Sequence, residues 1–86
     1  MKLYEIIIVK SAVKQLQSIP THYREKIIQK VDALSSNPRP HGVEKLTNRD
    51  NEYRIRIGVY RVIYSIFDEK LIVEVVDIDH RKQIYK

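Results

Sequence analysis

The stretch that decides the fold is Tyr53-Arg54-Ile55-Arg56-Ile57-Gly58-Val59-Tyr60-Arg61-Val62-Ile63-Tyr64. Residues 53 to 57 alternate strictly, apolar at 53, 55 and 57 and arginine at 54 and 56. A period of two belongs to a strand with one buried and one wet face. Gly58-Val59 turns the chain, and Tyr60–Phe67 reads as a second, longer strand. Arg54 and Arg56 leave the same face about 7 Å apart. The hairpin sets Arg61 opposite or diagonal to that pair. Like charges facing each other across a sheet are destabilising unless an anion sits between them. A solvated polar face is the bland alternative, since half-exposed strands usually have one. Three arginines with no acidic partner expected on that face favour an anion site, and the guanidinium fork suits phosphate.

Outward from the hairpin, Val43–Leu46 reads as a weak strand followed by a polar turn over 47–52. Downstream, Asp68-Glu69-Lys70 is a tight turn into a strand at Leu71–Val76, and Asp77–Lys86 reads as a polar tail. At the other end, Leu3–Val9 is β-branched and aromatic and too short for a helix, so it reads as a largely buried strand. Ser11 is a plausible N-cap for a short helix carrying Ala12, Val13, Leu16 and Ile19, which Pro20 ends. Thr21 can cap a longer helix with Tyr23, Ile27, Val31 and Leu34 on one stripe. The Pro- and Ser-rich segment 35–42 closes the helical pair. Strands gathered after two helices predict an α+β fold, a curved, mostly antiparallel sheet with two N-terminal helices on one face, in the order β-α-α-β-β-β-β.

The chain has 86 residues, enough for the single domain expected over 1–86 and for no second lobe. Its 43% hydrophobic and 31% charged residues are those of a globular domain. The absence of cysteine excludes a disulfide scaffold, a thiolate metal site and cysteine catalysis. The longest apolar run, Ile6–Val9, is far short of a membrane span, and no signal peptide is recognisable, so a cytoplasmic protein with no membrane partner is expected. The net charge of +5 favours nucleic acid or acidic protein partners. The basic residues are dispersed, so an anion site has to be built by folding.

A second feature is His80-Arg81-Lys82-Gln83-Ile84-Tyr85. Histidine titrates near neutrality, arginine stabilises negative charge, and tyrosine stacks on a base or donates a proton. Those are parts for RNA cleavage without a metal or other cofactor. His22, His41 and His80 lack metal-ligand spacing, and there is no Gly-rich phosphate loop or serine nucleophile motif. Asp77 and Asp79 could form an acid pair, although pairing with nearby basic residues is the simpler role.

Both segments resemble toxins of the RelE/ParE superfamily of type II toxin–antitoxin modules, the first their central hairpin and the second their C-terminal motif. The helical pair, the loop with Pro38 and the turn at residues 68–70 extend the likeness over nearly the whole chain. In that superfamily the RelE branch cuts mRNA in the ribosomal A site and the ParE branch poisons DNA gyrase. The resemblance implies that Arg54, Arg56, Arg61, Arg81 and Tyr85 match the positions RelE-like nucleases use. On that reading Arg56, Arg61 and Arg81 hold the phosphate, Tyr85 orients a base, and Arg54 and Lys82 contribute to substrate binding. RelE-type enzymes can carry lysine where this chain has Arg54 and Arg56. Arginine keeps its proton, which leaves His80 as the candidate base. Implied partners are the cognate antitoxin, the ribosome and mRNA, with operator DNA bound through the antitoxin. A gyrase inhibitor without chemistry of its own and a simple nucleic-acid-binding module are the rival readings.

Overall fold

The computed structural model describes residues 3–47 and 51–80. The elements follow in the order β1 (Glu5–Ile8), α1 (Lys10–Gln17), α2 (Thr21–Ala33), β2 (Glu44–Lys45), β3 (Glu52–Ile57), β4 (Tyr60–Phe67) and β5 (Ile72–His80). The strands form one sheet ordered β1-β5-β4-β3-β2. Among the described residues only the β1–β5 pairing is parallel. The α+β order and the mostly antiparallel sheet are those the sequence predicts.

The hairpin fixes which side chains meet the helices. Ile57 pairs with Tyr60 across a two-residue turn, and Gly58 takes φ 60°, a left-handed conformation that glycine adopts without a Cβ clash. From there Ile55 falls opposite Val62 and Tyr53 opposite Tyr64. All six are buried, and with Ile66, Val73, Val75 and Ile78 they form the sheet's contribution to the core. Ala12, Ile19, Ile27, Val31 and Leu34 cover them from the helical side. The predicted α2 stripe is therefore the core face, with Tyr23 left half-exposed at its start.

Three local readings are corrected. First, the strand expected over Leu3–Val9 spans Glu5–Ile8 and lies at the edge of the sheet rather than being largely buried. With β5 as its only neighbour, β1 turns Ile6 and Ile8 to the core and leaves Glu5 and Ile7 exposed. Second, α1 starts at Lys10 with Val9 as N-cap and no side-chain cap, so Ser11 lies inside its first turn. Val9 still donates its N–H to the Val75 carbonyl at 3.0 Å, so the chain passes from sheet to helix without a loop. Similarly, Pro20 occupies the N-cap of α2, and Thr21 is its first residue. Third, the strand after the 68–71 turn does not stop at Val76 but continues to His80. An irregularity near Ile63/Tyr64 shifts the β4–β5 register, so that Ile63 faces Asp77 and Tyr64 faces Val75. That shift conceals the strand in the sequence, because Val75-Val76 interrupts the alternation.

Beyond the end of β1, α1 covers the free edge of β5. Gln15 accepts a hydrogen bond from the Ile78 backbone N–H at 2.9 Å and donates one to Asp77 Oδ1 at 2.8 Å. An amide side chain thus supplies what the missing strand would have supplied.

The loop after α2 is held by tyrosines. Fully buried Tyr64 donates its hydroxyl to the carbonyl of Pro38 at 2.8 Å, and its ring stacks on Tyr53. Arg39 binds the Asp68 carboxylate through both terminal nitrogens at 3.2 and 2.8 Å and donates its Nε–H to the Tyr53 hydroxyl. Tyr4 donates to the same carboxylate at 2.7 Å. One carboxylate in the β4–β5 turn therefore joins β1, the 35–43 loop and the sheet.

Tyr64→Phe should lower stability by about 1–3 kcal/mol, the usual cost of leaving a buried carbonyl without its donor. Urea unfolding monitored by circular dichroism checks this, and an unchanged midpoint would show that the bond is dispensable. Asp68 titrates at about 2, because Arg39 and then Tyr4 hydrogen-bond its ionised form. A folded-state value below the unfolded one contributes stability above about pH 4 that disappears as pH falls towards 2. Asp68→Asn should therefore make the acid side of the stability–pH curve shallower between pH 4 and 2. Denaturation midpoints across that range measure it.

Candidate nucleic-acid interface

Alternation along β3 and β4 places Arg54, Arg56 and Arg61 on the sheet face that the helices do not cover. Arg56 and Arg61 are direct cross-strand partners, and Arg54 lies opposite Ile63. The expected row therefore exists on consecutive strands. Its members differ in environment. The Arg56 side chain is half-exposed, that of Arg54 is 23% exposed, and Arg61 as a residue is 5% exposed. Arg61 thus forms the floor of the row and Arg56 its rim.

The row does have an acidic partner, which the sequence reading missed. Glu44 on β2 pairs in register with Arg54. Its Oε1 accepts hydrogen bonds from Arg54 Nε at 3.2 Å and Nη2 at 2.9 Å. The Nη2 of Arg56 lies 3.6 Å from the same oxygen. The Arg54 hydrogen bonds, then the Arg54 charge, hold the Glu44 carboxyl below its ordinary range, with smaller contributions from Arg56 and Arg61. One carboxylate oxygen thus sits where two guanidiniums converge. The sequence carries little signal for this contact, because a two-residue strand has no periodicity.

His80 lies elsewhere. It is the last residue of β5 and pairs with Tyr60, whose side chain belongs to the helix-side core. The His80 and Tyr60 rings meet edge to face at 5.2 Å, and Tyr60 contacts Tyr23, which contacts His22. Arg61 belongs to the opposite face. The structure therefore brings Arg54, Arg56 and Arg61 together and separates His80 from them by the thickness of the sheet. Strand membership also corrects the expectation of His80 in a free tail. Arg81, Lys82 and Tyr85 lie outside the described residues.

On the His80 side, an open cavity of about 290 Å³ is lined by Gln15, Ser18, Ile19, Tyr60, Ile78, Asp79 and His80. Asp77 and Asp79, two apart on β5, interact with each other. Hydrogen bonding to Asp77, then burial, raises the Asp79 carboxyl to about 6. By register Asp79 lies directly opposite Arg61, on the face of the arginine row. Among the described residues no group of three or more His, Asp or Glu is placed to hold a metal ion. No described helix is long and apolar enough to cross a membrane.

Comparison with known proteins locates this architecture. Residues 6–85 match the family described as the ParE toxin of type II toxin–antitoxin systems. Toxin RelE3 of Methanocaldococcus jannaschii is 31% identical over 85 residues, 94% of each chain. The archaeal RelE–RelB complex from Pyrococcus horikoshii OT3 contains a chain that is 32% identical and superimposes with a TM-score of 0.83 over 92% of this chain and 96% of that one. The intact E. coli RelBE toxin–antitoxin complex gives 25% identity and a TM-score of 0.80, covering 90% and 95% respectively. With the two helices, the five-stranded sheet and the family match in agreement, the chain belongs to the RelE/ParE superfamily of type II toxin–antitoxin toxins, on the side of its RelE relatives.

Proposed function

We propose that this toxin is a ribosome-dependent endoribonuclease that cuts mRNA by attack of a 2′-hydroxyl on the adjacent phosphate. The observation that carries the reading is the Arg54–Arg56–Arg61 row on the helix-free face of the sheet. Attack forms the O2′–P bond and breaks the P–O5′ bond, leaving a 2′,3′-cyclic phosphate and a 5′-hydroxyl. Negative charge accumulates on the nonbridging oxygens on the way, and fixed guanidiniums stabilise that charge without reorganising. Arg61, held in the sheet, suits this role best. Arg56, at the rim, meets the RNA first, and Arg54 steadies the neighbouring backbone. Arg81 is the further phosphate ligand and Tyr85 the stacking residue in this reading.

The reaction moves one proton from the 2′-hydroxyl and returns one to the leaving 5′-oxygen. His80 is poorly sited for either step, because its ring rests against Tyr60 on the helical side. The transfer falls instead to Lys82, Tyr85 or the RNA. No metal is required by this scheme. So small a face reads little base sequence, so the ribosome supplies the alignment of the message.

The partner we infer is a cognate antitoxin, because several similar structures are toxin–antitoxin complexes. An acidic or amphipathic segment that folds on binding would neutralise the basic face. Operator DNA would then be contacted through the antitoxin. Gyrase inhibition is the less favoured reading, since the relatives at 31% and 32% identity are RelE proteins.

Three outcomes follow. Expression without antitoxin should stop protein synthesis before DNA synthesis in pulse labelling, and the reverse order would favour a gyrase target. Arg56→Ala and Arg61→Ala should each lower single-turnover cleavage of ribosome-bound mRNA by roughly 10²-fold or more, as for loss of one transition-state donor. His80→Ala should leave the shape of the rate–pH profile from about pH 5.5 to 8.5 unchanged. A profile flattened near pH 6.5 would return the histidine to the chemistry.

A further inference from the structure

Glu44 is a carboxylate beside Arg54 and Arg56 whose placement opposes the reading of that face. A phosphate site should repel a carboxylate, yet Oε1 of Glu44 takes both the Nε and Nη2 donors of Arg54 and lies 3.6 Å from Arg56 Nη2. We propose that Glu44 is a built-in occupant of the phosphate site, its carboxylate oxygen standing where a nonbridging oxygen of the RNA backbone binds and leaving when RNA arrives. The proposal rests on the reading of the row as an RNA site and adds how that site is kept when empty.

Three features of the structure support displacement over permanent bracing. The side-chain donors used, an Nε–Nη2 edge and a second guanidinium, are those that arginines present to phosphate. The Glu44 side chain is about half-exposed, and ion pairs so open to water are weak enough to exchange for another anion. Glu44 also sits on a strand of two residues, paired on one side only and preceded at Gly42 by φ 90°. That mounting contrasts with Arg61, held between two strands. Glu44 is moreover unsuited to act as a base, because its arginine neighbours keep it ionised and poorly proton-accepting. Without RNA, the carboxylate relieves the repulsion between Arg54 and Arg56. With RNA, it competes. RNA held in an ordered path loses less entropy on binding than free RNA, so the occupant would discriminate against loose strands.

The test is binding of a short, fully 2′-O-methylated single-stranded oligoribonucleotide, which cannot be cleaved, to the full chain across a range of salt concentrations. Glu44→Gln should bind it about two- to fivefold more tightly at low salt, the exchange expected for an exposed ion pair. The slope of log affinity against log salt should steepen by about 0.7, one more phosphate contact on a single strand. Glu25→Gln, on the exposed side of α2, makes the same charge change away from the row and should match the wild type. Thermal unfolding establishes that both variants are folded. Glu44→Ala should repeat the gain without an amide in place of the carboxylate. Equal affinities for Glu44→Gln and Glu25→Gln would overturn the proposal, as would weaker binding by Glu44→Gln, which would make the residue a brace for the arginines. In either case loss of binding in Arg56→Ala would leave the RNA reading standing. Failure of the wild type, Glu44→Gln and Arg56→Ala alike to bind would remove the reading and the proposal together.

Discussion

The structure depends on the register of the β3–β4 hairpin. Ile57 and Tyr60 close it around Gly58-Val59, and each later pair follows by two-residue steps. A slip of one residue would drive Arg54 and Arg56 into the core and expose Tyr53, Ile55 and Ile57. Burial of those three opposite Tyr64, Val62 and Tyr60 specifies the register strongly, and the arginines take the other face as a consequence. Core and candidate site are thus two sides of one constraint. The apolar residues fix the positions of the charged ones, and Arg61 gains a nearly buried seat that no surface loop could give it.

The same geometry divides the molecule's titratable groups. On the helix-free face, three arginines lie beside Glu44, whose carboxyl they hold below its ordinary range. On the helical side, the His80 ring rests against Tyr60, whereas Asp79, its carboxyl raised to about 6 by Asp77 and by burial, lies opposite Arg61. The His80 ring and the arginine row are therefore placed on different sides of the sheet. On the proposed reading, a nuclease built this way would draw its rate from charge stabilisation and alignment. That accords with a substrate positioned by a much larger partner.

The hairpin, the helical pair and the α+β order were legible in the sequence because each carries its own period. Arg54, Arg56 and Arg61 were legible for the same reason: alternation and one turn placed all three. What escaped had no local signature. Glu44 finds its arginines only through a two-residue strand whose pairing is set at long range. The end of β5 was hidden by the irregularity beside Tyr64, so Asp77 and Asp79 read as part of a polar tail, whereas Gln15 binds Asp77 within the strand. The Ser11 cap failed because Val9 remained bonded to the sheet, a tertiary contact overriding a sound local preference. His80 illustrates the remaining gap. Its residue type suggested catalysis, whereas its side of the sheet follows only from the full β4–β5 register.

The central claim is that the arginine face cleaves message, and the chemistry of the broken ends tests it most directly. A translated mRNA recovered after induction of the toxin can be mapped by primer extension and its upstream fragments analysed for their 3′ termini. The account predicts discrete cuts within the translated region, ending in 2′,3′-cyclic phosphate and absent when the row is removed by Arg56→Ala and Arg61→Ala together. Intact message in growth-arrested cells, or fragments ending in a 3′-hydroxyl, would contradict it.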